Sequence, residues 1–170
     1  MSETKPSAAP YKGLAPYSES DASRFYGRET YQELIVNYLQ AARLTLLYGA
    51  SGVGKSSLLR AGVAHKLEQQ AREHLAGGRC IEFCAVVFSN WRDTPLASLT
   101  RRVRETIDRY GLVAQAELAP EGPSLAQTLD KWAEQLNCYF LIILDQFEEY
   151  FLYHPKEDDG FGHEFTRAVN

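Results

Sequence analysis

The chain has 170 residues, of which 45% are hydrophobic and 24% charged, enough apolar material for the core of one globular domain. Its formal net charge of −4 offers no bulk attraction to nucleic acid or anionic membrane, so partners have to be read from sites rather than from charge. No apolar run reaches the roughly 20 residues that cross a bilayer, and Met1 to Pro10 lacks a signal-peptide apolar segment, which makes the expected location cytoplasmic.

Residues 1–10, with Pro6, Pro10 and several Ser and Ala, read as a flexible N-terminal arm, and the domain is expected over 11–170. From Arg28 to Ala42, Tyr31, Leu34, Ile35, Tyr38 and Leu39 recur at helical spacing and predict an amphipathic helix. Leu44 to Tyr48 then reads as a short strand ended by Gly49. Helical composition resumes after Lys55, runs to about His74, and is stopped by Gly77-Gly78. Cys80 to Phe88 is a second apolar, β-branched run, followed by a loop over Ser89 to Thr94. Pro95 suits the first position of the next helix, whose stripe is Leu96, Leu99, Val103 and Ile107. Arg101, Arg102, Arg104 and Arg109 lie largely off that stripe and are expected on a solvated face. Ser124 is placed to cap a further helix, striped by Leu125, Leu129, Trp132 and Leu136, which leads into a third apolar run, Cys138 to Leu144.

That third run has no polar alternation, as expected of a strand buried on both faces of a parallel sheet between helices. With the β-α-β order of the chain, this gives an α/β fold. Cys80, Cys84 and Cys138 each sit in an apolar run without a CxxC pair, and are expected to be buried reduced thiols. His65, His74, His154 and His163 are scattered, so a His/Cys metal centre is not expected.

The chemistry concentrates at Gly49-Ala50-Ser51-Gly52-Val53-Gly54-Lys55-Ser56, a full match to G-x-x-x-x-G-K-[ST] between a predicted strand and a predicted helix. Glycines let the backbone approach a polyphosphate, and N–H groups at a helix N-terminus converge on the anion. Lys55 is expected to reach the β- and γ-phosphate oxygens and Ser56 to enter the shell of Mg²⁺, with Ser57 beside them at the start of the helix. Leu141-Ile142-Ile143-Leu144-Asp145 supplies the second magnesium anchor, a carboxylate at the C-terminal end of an apolar strand, on the sheet edge where α/β proteins bind ligands. Beyond it, Glu148 first and Glu149 second are candidates to orient an attacking water, with Gln146 as a further polar group. Each glutamate reads equally well as an acidic residue at a helix N-terminus. The guanine signature N-K-x-D is absent, which favours adenine.

Pro10-Tyr11-Lys12-Gly13-Leu14 and Phe25-Tyr26-Gly27-Arg28-Glu29 ahead of the phosphate loop, Ser89 to Leu96 after the second apolar run, and Asp145-Gln146-Phe147-Glu148-Glu149 together resemble the STAND class of P-loop ATPases, in particular the first subfamily of novel STAND NTPases. The resemblance implies a three-layer, AAA-like P-loop NTPase fold with a parallel sheet, ordered second strand, third strand, first strand. It also implies further strands, a sensor residue and a lid, so residues 11–170 are expected to be the N-terminal portion of such a domain, truncated after the Asp145 strand. Phe25, Gly27 and Arg28 are implied to lie near the nucleotide. The implied activity is ATP-Mg²⁺ binding and slow hydrolysis in a signal-transducing switch, ADP-bound at rest, with self-association or C-terminal sensor repeats as partners. Two alternatives stand beside it: a P-loop kinase transferring phosphate to a small acceptor, and a nucleotide-binding interaction module without turnover.

Overall fold

A computed structural model of the chain describes residues 16–18, 21–22, 25–112, 118–155 and 160–169. The expected arm over 1–10 and the Pro10 to Leu14 motif lie outside the described residues. Helix α1 spans Glu29–Ala41, and its first residue accepts the Gly27 N–H on Oε1 at 2.9 Å. These backbone hydrogen bonds to its own and Gly27's amide hold the Glu29 carboxyl below the usual carboxylate range. A single right-handed run then passes through α2 (Lys55–Ser57), a π-helical segment (Leu58–Ala64) and α3 (His65–Ala76). It ends where Gly78 takes φ +68° and Arg79 N–H closes back onto the His74 carbonyl, as the Gly77-Gly78 pair predicts.

Two strands, β1 (Phe83–Phe88) and β2 (Tyr139–Leu144), pair in parallel with Phe83 opposite Tyr139 and Phe88 opposite Leu144. Between them the chain crosses over through α4 (Pro95–Tyr110) and α5 (Leu125–Leu136), and after β2 it continues into α6 (Glu148–Tyr153) and α7 (Phe161–Val169). The Ser124 cap forms as predicted, its hydroxyl accepting the Gln127 N–H at 3.2 Å. Side chains alternate across the sheet, so each face has its own core. Ala85, Val87, Leu141 and Ile143 pack with Ile35 and Val36 of α1 and with Leu58, Val63, Ala64 and Leu67 of the long helical run. The other face brings Val86 and Phe88 against Leu99, Val103 and Ile107 of α4, Leu125 and Trp132 of α5, and Phe161 of α7. Helices therefore cover the sheet on both sides, and the mixed fold is α/β.

Several expectations are corrected. Leu44 to Tyr48 is not a strand: it is unpaired, and Leu44, Leu46 and Tyr48 are 64%, 82% and 85% exposed. Apolar composition makes a run suited to a sheet, but a strand exists only when a neighbour takes its backbone hydrogen bonds, and among the described residues β2 is paired to β1 alone. The second and third apolar runs are thus neighbours, while the first is not joined to either. On α1, Ile35 is buried but Tyr31, Leu34 and Tyr38 are exposed. The helix turns Ile35, Val36 and Leu39 to the core and leaves the tyrosine face uncovered. Cys84 and Cys138 are buried, whereas Cys80, ahead of β1, is exposed.

Candidate functional site

Gly54 opens the long helical run with φ +86°, and Gly52 has φ +79°, left-handed conformations that an L side chain rarely adopts. That backbone turns the loop into the helix, and the Gly54 carbonyl accepts the Leu58 N–H at 2.9 Å. Gly49 to Val53 form the exposed rim of this turn. Lys55 folds back over it, donating Nζ protons to the carbonyls of Gly49 at 2.8 Å and Ala50 at 3.0 Å. The ammonium is thus held over the mouth of the loop by weak neutral acceptors, which an anion would replace at a gain.

One residue further, Ser56 Oγ donates to Asp145 Oδ1 at 2.8 Å, closing a distance of 89 positions in sequence. Asp145 directly follows β2 and is 3% exposed. Its N–H donates to the Phe88 carbonyl and its own carbonyl accepts from Trp91 Nε1, both at 2.8 Å. The second carboxylate oxygen, Oδ2, accepts from Arg60 Nε at 2.8 Å, and the same guanidinium donates through Nη2 to Ser89 Oγ at 2.8 Å. A buried carboxylate is tolerable only when charge and hydrogen bonds answer it, and Arg60 and Ser56 do so here.

The other predicted residues divide. The Arg28 guanidinium lies beside the loop, its Nη2 4.0 Å from where a Cβ on Gly54 would stand. Gly27 sits in an exposed turn at φ +82°, and Phe25 packs half-buried on the core with its ring 5.9 Å from that of Tyr17. Ser57 is buried and its hydroxyl accepts the Tyr17 N–H at 3.0 Å, so it fastens the segment ahead of α1 to the helix. After Asp145 the chain turns through Gln146, a non-glycine residue at φ +55°, into α6. Glu149 Oε1 accepts from Gln146 Nε2 at 3.1 Å, and Glu148 is exposed in the first turn of α6. The structure thus joins Ser56 to Asp145 and sets Arg28 by the loop, while Glu148 and Glu149 remain within their own turn.

Sequence reasoning missed Arg60 and the structural part of Trp91. Arg60 carried a signal, since it stands four residues after Ser56 and helical spacing puts both on one face. Trp91 is fully buried with Phe88, Phe147, Tyr150 and Phe161 around it, and its carbonyl meets His154 Nε2 at 2.7 Å. Its role depends on contacts across the chain that spacing does not reveal.

A glycine-turned loop opening a helix is thus joined, through a serine hydroxyl, to a strand-end carboxylate. A family model described as Novel STAND NTPase 1 matches residues 10–170. The chain belongs to that family, which puts it among proteins that bind or hydrolyse nucleotides. No curated protein and no solved structure matches it.

Proposed function

We propose that the Gly49 to Ser56 loop binds ATP with Mg²⁺, and that slow hydrolysis there drives a conformational switch. The observation that carries this reading is the Ser56 to Asp145 hydrogen bond, which joins the first residues of the loop's helix to the strand-end carboxylate. The donors suit the ion: magnesium prefers oxygen, and commonly takes one or two protein oxygens with phosphate and water completing its shell. Among the described residues no group of three or more His, Cys, Asp or Glu could hold a metal. On this reading the remaining ligands come from phosphate and water. Bound there, the ion would supply positive charge to the β- and γ-phosphate oxygens.

On this reading, backbone N–H groups of the loop bind the phosphates and Lys55 exchanges its carbonyl partners for phosphate oxygens. Ser56 and Asp145 present oxygen to the ion, and Arg28 with Gly27 and Phe25 lines the approach. Glu148 or Glu149 orients the water, which requires α6 to bring one of them to the γ-phosphate. The protein acts in the cytoplasm, with partners in self-association or in sensor repeats of a longer protein. Phosphate release from ATP-Mg²⁺, measured with and without small acceptors, tests the reaction class. Slow release independent of acceptor is expected, and phosphate appearing on the acceptor instead would move the protein to the kinases.

A further inference from the structure

Arg60 is the cation that pairs with Asp145 among the described residues, at 2.8 Å. Charge compensation alone would need only proximity, yet Arg60 is fixed at two points. Nε is on Asp145 Oδ2 and Nη2 on Ser89 Oγ, each at 2.8 Å. The guanidinium is planar, so two fixed donors fix its own orientation, and with Ser56 on Oδ1 and Arg60 on Oδ2 both oxygens of the carboxylate are held. Oδ2 is thereby tied to the Ser89 side, and Oδ1 is left to the Ser56 side, where it accepts the serine proton at 2.8 Å. A hydroxyl that donates its one proton keeps its lone pairs, so Ser56 can hold Asp145 and still offer oxygen to a cation.

We infer that Arg60 is a positioning residue, which turns Asp145 so that Oδ1, and not Oδ2, is the oxygen offered with Ser56 to magnesium. The inference rests on the proposed nucleotide site. It differs from a brace of the fold in one respect: its loss should be felt through the metal and not through the nucleotide alone. A lysine at this position would keep the charge but, as a point donor, could not hold the fork between Asp145 and Ser89.

The test is binding of a fluorescent ATP analogue to the 170-residue chain at varied Mg²⁺ and in EDTA, with melting temperatures alongside. For Arg60→Gln the Mg²⁺ concentration at half-effect should rise about 10- to 100-fold, as losses of outer-shell partners do, while affinity in EDTA stays that of the wild type. Arg60→Lys should recover part of that shift, and Ser89→Ala should show a smaller one in the same direction. Unchanged Mg²⁺ dependence in Arg60→Gln, or an equal loss with and without metal, overturns the inference. If Arg60→Gln does not fold, unchanged dependence in both Arg60→Lys and Ser89→Ala overturns it equally. A wild type whose affinity ignores Mg²⁺ overturns the nucleotide-metal reading itself, and this inference with it.

Discussion

Lys55 is the residue on which nucleotide affinity should depend most. Its ammonium now spends two hydrogen bonds on the neutral carbonyls of Gly49 and Ala50, and phosphate would replace them with charged acceptors. Hydrogen bonds to charged groups are worth about 1.5–3 kcal/mol, so Lys55→Ala should weaken ATP by roughly ten- to a hundredfold or more. Asp145→Asn weakens the oxygen proposed to face magnesium, so its affinity loss should be large with Mg²⁺ and small in EDTA. Equal losses in both conditions would argue against a metal role for the carboxylate. Glu148→Gln should leave ATP binding intact and slow single-turnover hydrolysis, with Glu149→Gln doing less because Glu149 already accepts from Gln146. The reverse order would show that the turn through Gln146 presents Glu149. At this scale the loop and Asp145 were legible because each needs a fixed residue type at a fixed spacing. Arg60 was not singled out, since its partner is 85 positions away and no motif joins them.

Among the elements, α4 and α5 turn the stripes read from sequence into the core, whereas α1 does so only through Ile35 and Leu39 of its predicted stripe. The run Leu44 to Tyr48 failed because its composition describes a buried strand while no described strand lies beside it. Its exposure yields a prediction: Leu46→Lys, at a side chain 82% exposed, should change the stability of this chain by no more than about 0.5 kcal/mol. A buried site would lose several times that. The π-helical segment was also invisible to periodicity, which assumes one repeat throughout. Gly62 lies within it, and a Cβ there would stand 2.9 Å from Gln32 Cγ of α1. Alanine normally improves a helix by about 1 kcal/mol over glycine, but overpacking costs about 1–3 kcal/mol. Gly62→Ala should therefore be neutral or destabilising by thermal melting, and stabilising once Gln32→Ala removes the obstacle. A Gly62→Ala protein that melts higher in the wild-type background would contradict the close packing of α1 on this segment.

Across the whole molecule, a further buried cluster, in which Cys84, Cys138 and Tyr110 pack with Ala71 and Ile81, sets a pH dependence. Burial pushes the Cys84 thiol up to about 12 and that of Cys138 up to about 11, and the Tyr110 hydroxyl rises for the same cause. Groups whose folded pKa is raised contribute stability that is complete below the unfolded value, about 8.5 for a thiol, and is lost as pH climbs toward the folded one. Folding stability should accordingly fall between pH 9 and 12, and a flat profile there would contradict the burial. In the folded protein at pH 8 a thiol reagent should modify exposed Cys80 and spare the other two.

The central claim is that the Gly49 to Ser56 loop of this STAND NTPase family member is its nucleotide site, and calorimetric titration of ATP-Mg²⁺ into the wild-type chain and into Lys55→Ala tests it most directly. One saturable site in the wild type, with binding lost or reduced at least about tenfold in the variant, is the predicted result. Equal affinity in both proteins would contradict it, and would place any nucleotide site elsewhere on the molecule.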